Sequence, residues 1–216
     1  MAYQRAYFPS KRVNIQQGYG LLSSTHKYSY AIDNGGEFKP FAPFDCKVSK
    51  VYNPSSINKS KEVWLTSTKK VLCANGYYGY LTMSMTHPKG IEKLKVGQTF
   101  KQFESLGIDT KEMTGTFSGP HLHMEVSKGK KAGWDEAVIK KHDKYVNVNR
   151  VKPEEYLFLT EDTVIKKEKY KLHTYHFIKE KEITYVVAGV PSEPLYIREK
   201  TTSFVIVKFK NLISIK

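Results

Sequence analysis

Turn-forming clusters interrupt the first two-thirds of this chain too often for long helices to fit between them. Asn34-Gly35-Gly36, Asn53-Pro54-Ser55-Ser56, Ala74-Asn75-Gly76 and His87-Pro88-Lys89-Gly90 each put Gly, Pro or Asn where a backbone reverses. The stretches between them, such as Glu62-Val63-Trp64-Leu65-Thr66 and Tyr78 through Thr86, alternate or run apolar as short strands do. Asn75-Gly76 lies between Val71-Leu72-Cys73 and Tyr77-Tyr78 and predicts a hairpin. Tyr, Phe, Val, Ile and Thr dominate the apolar set, and these side chains suit a pleated surface. Two short segments read as helical: Trp134 through Lys141, and a turn at Pro153-Glu154-Glu155-Tyr156-Leu157, where proline suits the first position. The fold class expected is mainly β, an antiparallel sheet or sandwich.

With 216 residues, 40% of them hydrophobic, the chain can bury one good core and support a small second unit. The character shifts after about Phe158, where three strand-like runs follow: Lys169 to His176, Glu182 to Ala188, and Ser203 to Val207. Residues 1–155 are therefore expected to form the main domain and residues 159–216 a small β-rich one. Cys46 and Cys73 sit in apolar strand-like stretches and are expected as buried free thiols. No window reaches the length of a membrane span, so membrane insertion is not expected. Met1-Ala2-Tyr3-Gln4-Arg5 lacks the basic and apolar segments of a secretory signal, which implies synthesis in a cytoplasm.

The net charge of +14 points to a polyanionic partner or to solubility. Nucleic acid is disfavoured, because the lysines are scattered and there is no Walker loop, zinc-finger spacing or basic helix. The anionic polymers of a bacterial wall suit the same charge.

Histidine carries the chemistry. His121 and His123 flank Leu122 in Gly119-Pro120-His121-Leu122-His123-Met124-Glu125-Val126. In a strand, period two puts both imidazoles on one face, with Leu122 and Met124 toward the core. Adjacent buried imidazoles suit a metal or a proton relay. Upstream, His26 and Asp33 lie in the segment from Ser24 to Gly36, with Ala31-Ile32 as buried strand. Together with the His-x-His pair they make a His/Asp/His set, the composition of a catalytic zinc site with an open position. His87 ends the strand Leu81 through Thr86, where it is either a polar strand end or a member of the site.

These residues resemble the lysostaphin-like, LytM-type zinc endopeptidases that cut bacterial peptidoglycan. Three blocks match in order. The first is His26 through Asp33 with Phe41-Ala42-Pro43-Phe44-Asp45-Cys46-Lys47-Val48; the second is Met85-Thr86-His87 with Leu94-Lys95-Val96-Gly97-Gln98. The third, Thr114 through Val126, is the most specific, and the likeness covers roughly residues 1–152. Lys128-Gly129-Lys130 with Ala132-Gly133-Trp134 is similar to phage-encoded members. Six residues lie between His26 and Asp33, a longer gap than members commonly have.

The resemblance implies a β-sheet peptidase core with loops forming a groove. It also implies Zn2+ held by His26, Asp33 and His123, with His121 as general base and His87 stabilising the oxyanion or protonating the leaving amine. Peptidoglycan is the implied substrate, and a phage lysin acting on the wall after release, or as a virion component, is the implied setting. The alternative is a non-catalytic structural or wall-binding member of the same fold in a phage tail. Tyr28, Tyr30, Tyr77 and Tyr78 are candidate groove residues. The C-terminal unit is expected to serve wall binding or oligomerisation. The bond cleaved and the oligomeric state are not implied.

Overall fold

The computed structural model describes residues 3–19, 26, 28–53, 60–115, 119–141, 144–165, 174–179 and 182–187. Eight strands share one sheet: β1 (Ile15–Gln17), β2 (Ile32–Gly35), β3 (Cys46–Tyr52), β4 (Glu62–Ser67), β5 (Leu81–Thr86), β6 (Thr99–Phe100), β7 (His121–Lys128) and β8 (Arg150–Val151). Their order is β6-β3-β4-β5-β7-β2-β1, with antiparallel neighbours throughout. β7 is long enough to take two partners on one edge. β2 pairs with His121 through Met124, and β8 with Val126 and Ser127. The mainly β expectation is met.

Alternation decides which face is core. Val63 and Leu65 of β4, Leu81, Met83 and Met85 of β5, and Leu122, Met124 and Val126 of β7 all enter one hydrophobic cluster with Phe8, Ile32 and Phe44. Leu122 and Met124 are wholly buried. Burying a side chain of this size contributes about 1.5–3 kcal/mol, enough to pin the register, because a one-residue slip would turn the histidines into this core. The opposite face carries Glu62, Trp64 and Thr66, then Thr82, Ser84 and Thr86, then His121, His123, Glu125 and Ser127. That face is covered in part by the segment after β7. Ala132 and Ala137 pack on Trp64, the Thr82 hydroxyl donates to the Gly129 carbonyl (3.0 Å), and the Asn147 amide donates to Ser84 Oγ (3.3 Å).

The Asn75-Gly76 hairpin forms, pairing Leu72 with Tyr78 and Val71 with Gly79. Gly76 alone of the two turn residues takes positive φ (85°), and the Gly76 N–H closes a turn onto the Cys73 carbonyl. Pro153–Tyr156 is a single helical turn with proline at its start. Cys46 and Cys73 are free and buried, and burial raises each thiol to about 12.

Trp134 through Lys141 is not a helix. It makes one turn, closed by the Ala137 N–H on the Gly133 carbonyl, and then becomes a strand, Val138–Lys141, paired with Lys144–Asn147. One turn fixes many dihedrals for a single hydrogen bond, and β-branched Val138 and Ile139 favour the ladder that follows.

Phe158 and Leu159 are buried and pair in parallel with Thr174–Lys179, which pairs with Glu182–Val187. Val164–Ile165 pairs with Arg12–Val13 near the N-terminus. The Ser203 to Val207 run lies outside the described residues, as does most of the expected 159–216 unit.

Candidate metal centre

The sheet register builds the site. Glu62 of β4 stands opposite Thr86 of β5, Thr86 opposite His123 of β7, and His123 opposite Asp33 of β2. Asp33 and His123 are thus cross-strand partners, close enough for side-chain contact. Asp33 Oδ1 lies 3.0 Å from His123 Nδ1, 3.7 Å from His26 Nε2 and 3.9 Å from His121 Nε2. His87 joins from the end of β5, its ring centroid 4.9 Å from that of His121 and 5.9 Å from that of His123. All five residues named from the sequence are brought together.

His26, Asp33 and His123 offer ligand atoms that all lie within 4.8 Å of one another. A tetrahedral zinc with ligands at about 2.1 Å holds them roughly 3.4 Å apart, so small side-chain movements suffice. Two imidazole nitrogens and one carboxylate oxygen are a zinc-type donor set that leaves a position open. The residues fit the ion.

The electrostatics favour a cation at this point. Burial opposes charge on Asp33, yet the hydrogen bond and charge of His123 keep its carboxyl below the ordinary value. Burial also opposes protonation of His123, but Asp33 and Glu125 on either side of the ring overcome it and raise its pKa well above the usual range. His26 is lowered to about 4, first by burial and then by His123, so it is neutral and ready to ligate at neutral pH.

The two remaining histidines are oriented by backbone carbonyls. His121 Nδ1 lies 2.8 Å from the Gly119 carbonyl and His87 Nδ1 lies 2.9 Å from that of Thr114. A carbonyl can only accept, so each Nδ1 carries a proton, and in the neutral ring Nε2 keeps its lone pair. Burial lowers His87 to about 4, keeping it neutral at physiological pH. In that form its Nε2 is a proton acceptor, and it can donate to an oxyanion or a leaving amine only after taking up a proton. The His87 backbone is strained, with φ of 88°.

Two contributors were not singled out in the sequence. Glu125 continues the period-two face of His121 and His123, and its Oε1 lies 3.7 Å from His123 Nε2. Glu62 accepts a 3.0 Å hydrogen bond from the Trp134 indole, and burial with Glu125 nearby raises it to about 7. The strand period was the available signal for Glu125; only the register reveals Glu62. Tyr77 and Tyr78 do not flank the site. They precede β5 at its Leu81 end, whereas His87 follows its Thr86 end, about 17 Å of strand away.

Fold and site together define a mainly antiparallel β protein with a His/Asp/His candidate metal centre and two further oriented histidines. No family model matches the chain. It is similar to Morphogenesis protein 1 of Bacillus phage B103, 34% identical over 144 residues, which are 65% of this chain and 36% of that protein. The chain therefore spans about a third of the length of this bacteriophage relative. Among the described residues, no helix is long and apolar enough to cross a membrane.

Proposed function

We propose that this chain is a zinc-dependent endopeptidase that hydrolyses peptide bonds of bacterial peptidoglycan. The observation that carries the reading is the meeting of His26, Asp33 and His123 around one Asp33 oxygen, with His121 and His87 beside them. The resemblance of the Gly119 to Val126 segment to the lysostaphin-like enzymes supports it, as does similarity to a phage protein.

His26, Asp33 and His123 would hold the metal. Zinc held there supplies Lewis acidity, which polarises a carbonyl and acidifies a water molecule. His121, with Nδ1 committed to Gly119, presents Nε2 toward the Asp33 side and takes the proton of the attacking water. His87, beside it, presents its Nε2 in the same tautomer, receives that proton from His121 and passes it to the leaving amine. Loss of either group is expected to cost on the order of 10²–10⁴ in rate. The charge of +14 favours approach to a wall rich in anionic polymers. Release into the host for lysis, or carriage on the virion for wall penetration, is the setting proposed.

The test is digestion of purified cell walls, with zinc, with chelator and with His123→Ala. Cleavage that survives both chelation and the substitution would sink the mechanism. The name of the relative, a morphogenesis protein, favours a second reading: a structural or wall-binding component of a phage particle that does not cleave. Stoichiometric zinc with no muropeptide released from any wall type would select it.

A further inference from the structure

Glu125 stands two residues beyond His123 on the same face of β7, opposite Ser84 of β5. His123 therefore has a carboxylate at each nitrogen: Asp33 Oδ1 at 3.0 Å from Nδ1, and Glu125 Oε1 at 3.7 Å from Nε2. A neutral imidazole that ligates a metal through one nitrogen must carry its proton on the other. Asp33 and His26 both lie toward Nδ1, since Asp33 Oδ1 is the atom they share. Nδ1 is then the ligating nitrogen and Nε2 the N–H.

We propose that Glu125 is a positioning residue, accepting the His123 Nε2–H so that Nδ1 and its lone pair face Asp33 and His26. The inference rests on the metal-centre reading above. Two observations single out Glu125. Its Oε2 is buried and has no hydrogen-bond partner among the described residues, so the carboxylate is not committed elsewhere. Glu62, another buried carboxylate on this face, already accepts from the Trp134 indole at 3.0 Å. The separation of 3.7 Å shortens to a charge-assisted bond of roughly 2.8 Å by a small turn of the carboxylate. Carboxylates in this role fix ring orientation and raise ligand basicity, and their loss typically costs about 10–100-fold in metal affinity.

The experiment measures zinc affinity of the full chain by competition with a chromophoric chelator, with thermal melts to confirm folding. Glu125→Ala is expected to weaken zinc binding by about 10–100-fold. Glu125→Gln keeps an oxygen acceptor and should restore most of the affinity. In the zinc-loaded wild type, nitrogen-15 correlation spectra should show His123 ligating through Nδ1 with its proton on Nε2. That proton resonance should move upfield in Glu125→Gln, where the acceptor is neutral. Zinc affinity of Glu125→Ala within twofold of wild type overturns the proposal and leaves the metal centre intact. Ligation through Nε2 in the wild type overturns it as well, even if Glu125→Ala does not fold. A wild type that binds no zinc overturns the metal centre and the positioning role together.

Discussion

His87 offers a direct measure of how much strain the site stores. Its φ of 88° is a left-handed conformation that a side chain with a Cβ resists. Four hydrogen bonds hold it there. The His87 N–H donates to the Lys61 carbonyl, its carbonyl accepts from Thr114 N and Oγ1, and its imidazole donates to the Thr114 carbonyl. A non-glycine residue in such a region costs about 1–3 kcal/mol. Glycine removes that cost but adds about 0.5–1 kcal/mol of unfolded-state entropy. Replacing His87 by glycine and by alanine removes the same imidazole and its bond to Thr114, so the difference between the two variants isolates the backbone. His87→Gly is expected to be more stable than His87→Ala by about 1 kcal/mol, or about 2–4 °C in Tm for a domain of this size. Urea denaturation of both variants with chelator present keeps metal binding from masking the effect. The wall-digesting activity proposed above should fall alike in both. An alanine variant as stable as the glycine variant would refute the strained-backbone argument.

Asp33→Ala removes the carboxylate shared by the histidines; zinc at a hundred times its dissociation constant should stabilise the wild type by about 2.7 kcal/mol and this variant not at all, read by thermal melts. Glu62 is raised from 4.5 to about 7 by burial. The folded chain thus holds a proton that the unfolded chain has lost across this window, and stability present below pH 4.5 is lost as pH rises toward 7. In chelator, wild type should lose on the order of 2–3 kcal/mol relative to Glu62→Gln between those pH values. Parallel stability profiles of the two proteins would contradict the assignment. Leu122→Ala empties a wholly buried position in the strand that carries both histidines and should cost about 2–5 kcal/mol by urea titration. A cost below 1 kcal/mol would mean that β7 is not anchored by this face.

Much of the fold and most of the candidate site were legible because they rest on local regularities. Period two in His121 through Val126 put two imidazoles on one face and three apolar side chains on the other, and β7 keeps that pattern. Turn residues marked the hairpin at Asn75-Gly76 and the helical turn at Pro153 for steric reasons that need no partner. Trp134 through Lys141 was misread as a helix because a segment this short takes its conformation from the strand it meets. Tyr77 and Tyr78 were misplaced because composition does not say at which end of a strand a residue lies.

The His-x-His pair named from the sequence thus depends on the sequence alone for its existence, and on tertiary structure for its meaning. Asp33 and His123, ninety positions apart in sequence, meet through an antiparallel register. That register is held by Leu122, Met124 and Ile32 on the far side of the sheet. The proton on His121 Nδ1 follows from the Gly119 carbonyl, and the carboxylate beside His123 Nε2 comes from Glu125. Residue type and local period supply the chemical groups. Which nitrogen faces which oxygen is settled only when distant strands pack, because only that packing fixes the separations on which ligation and proton transfer depend.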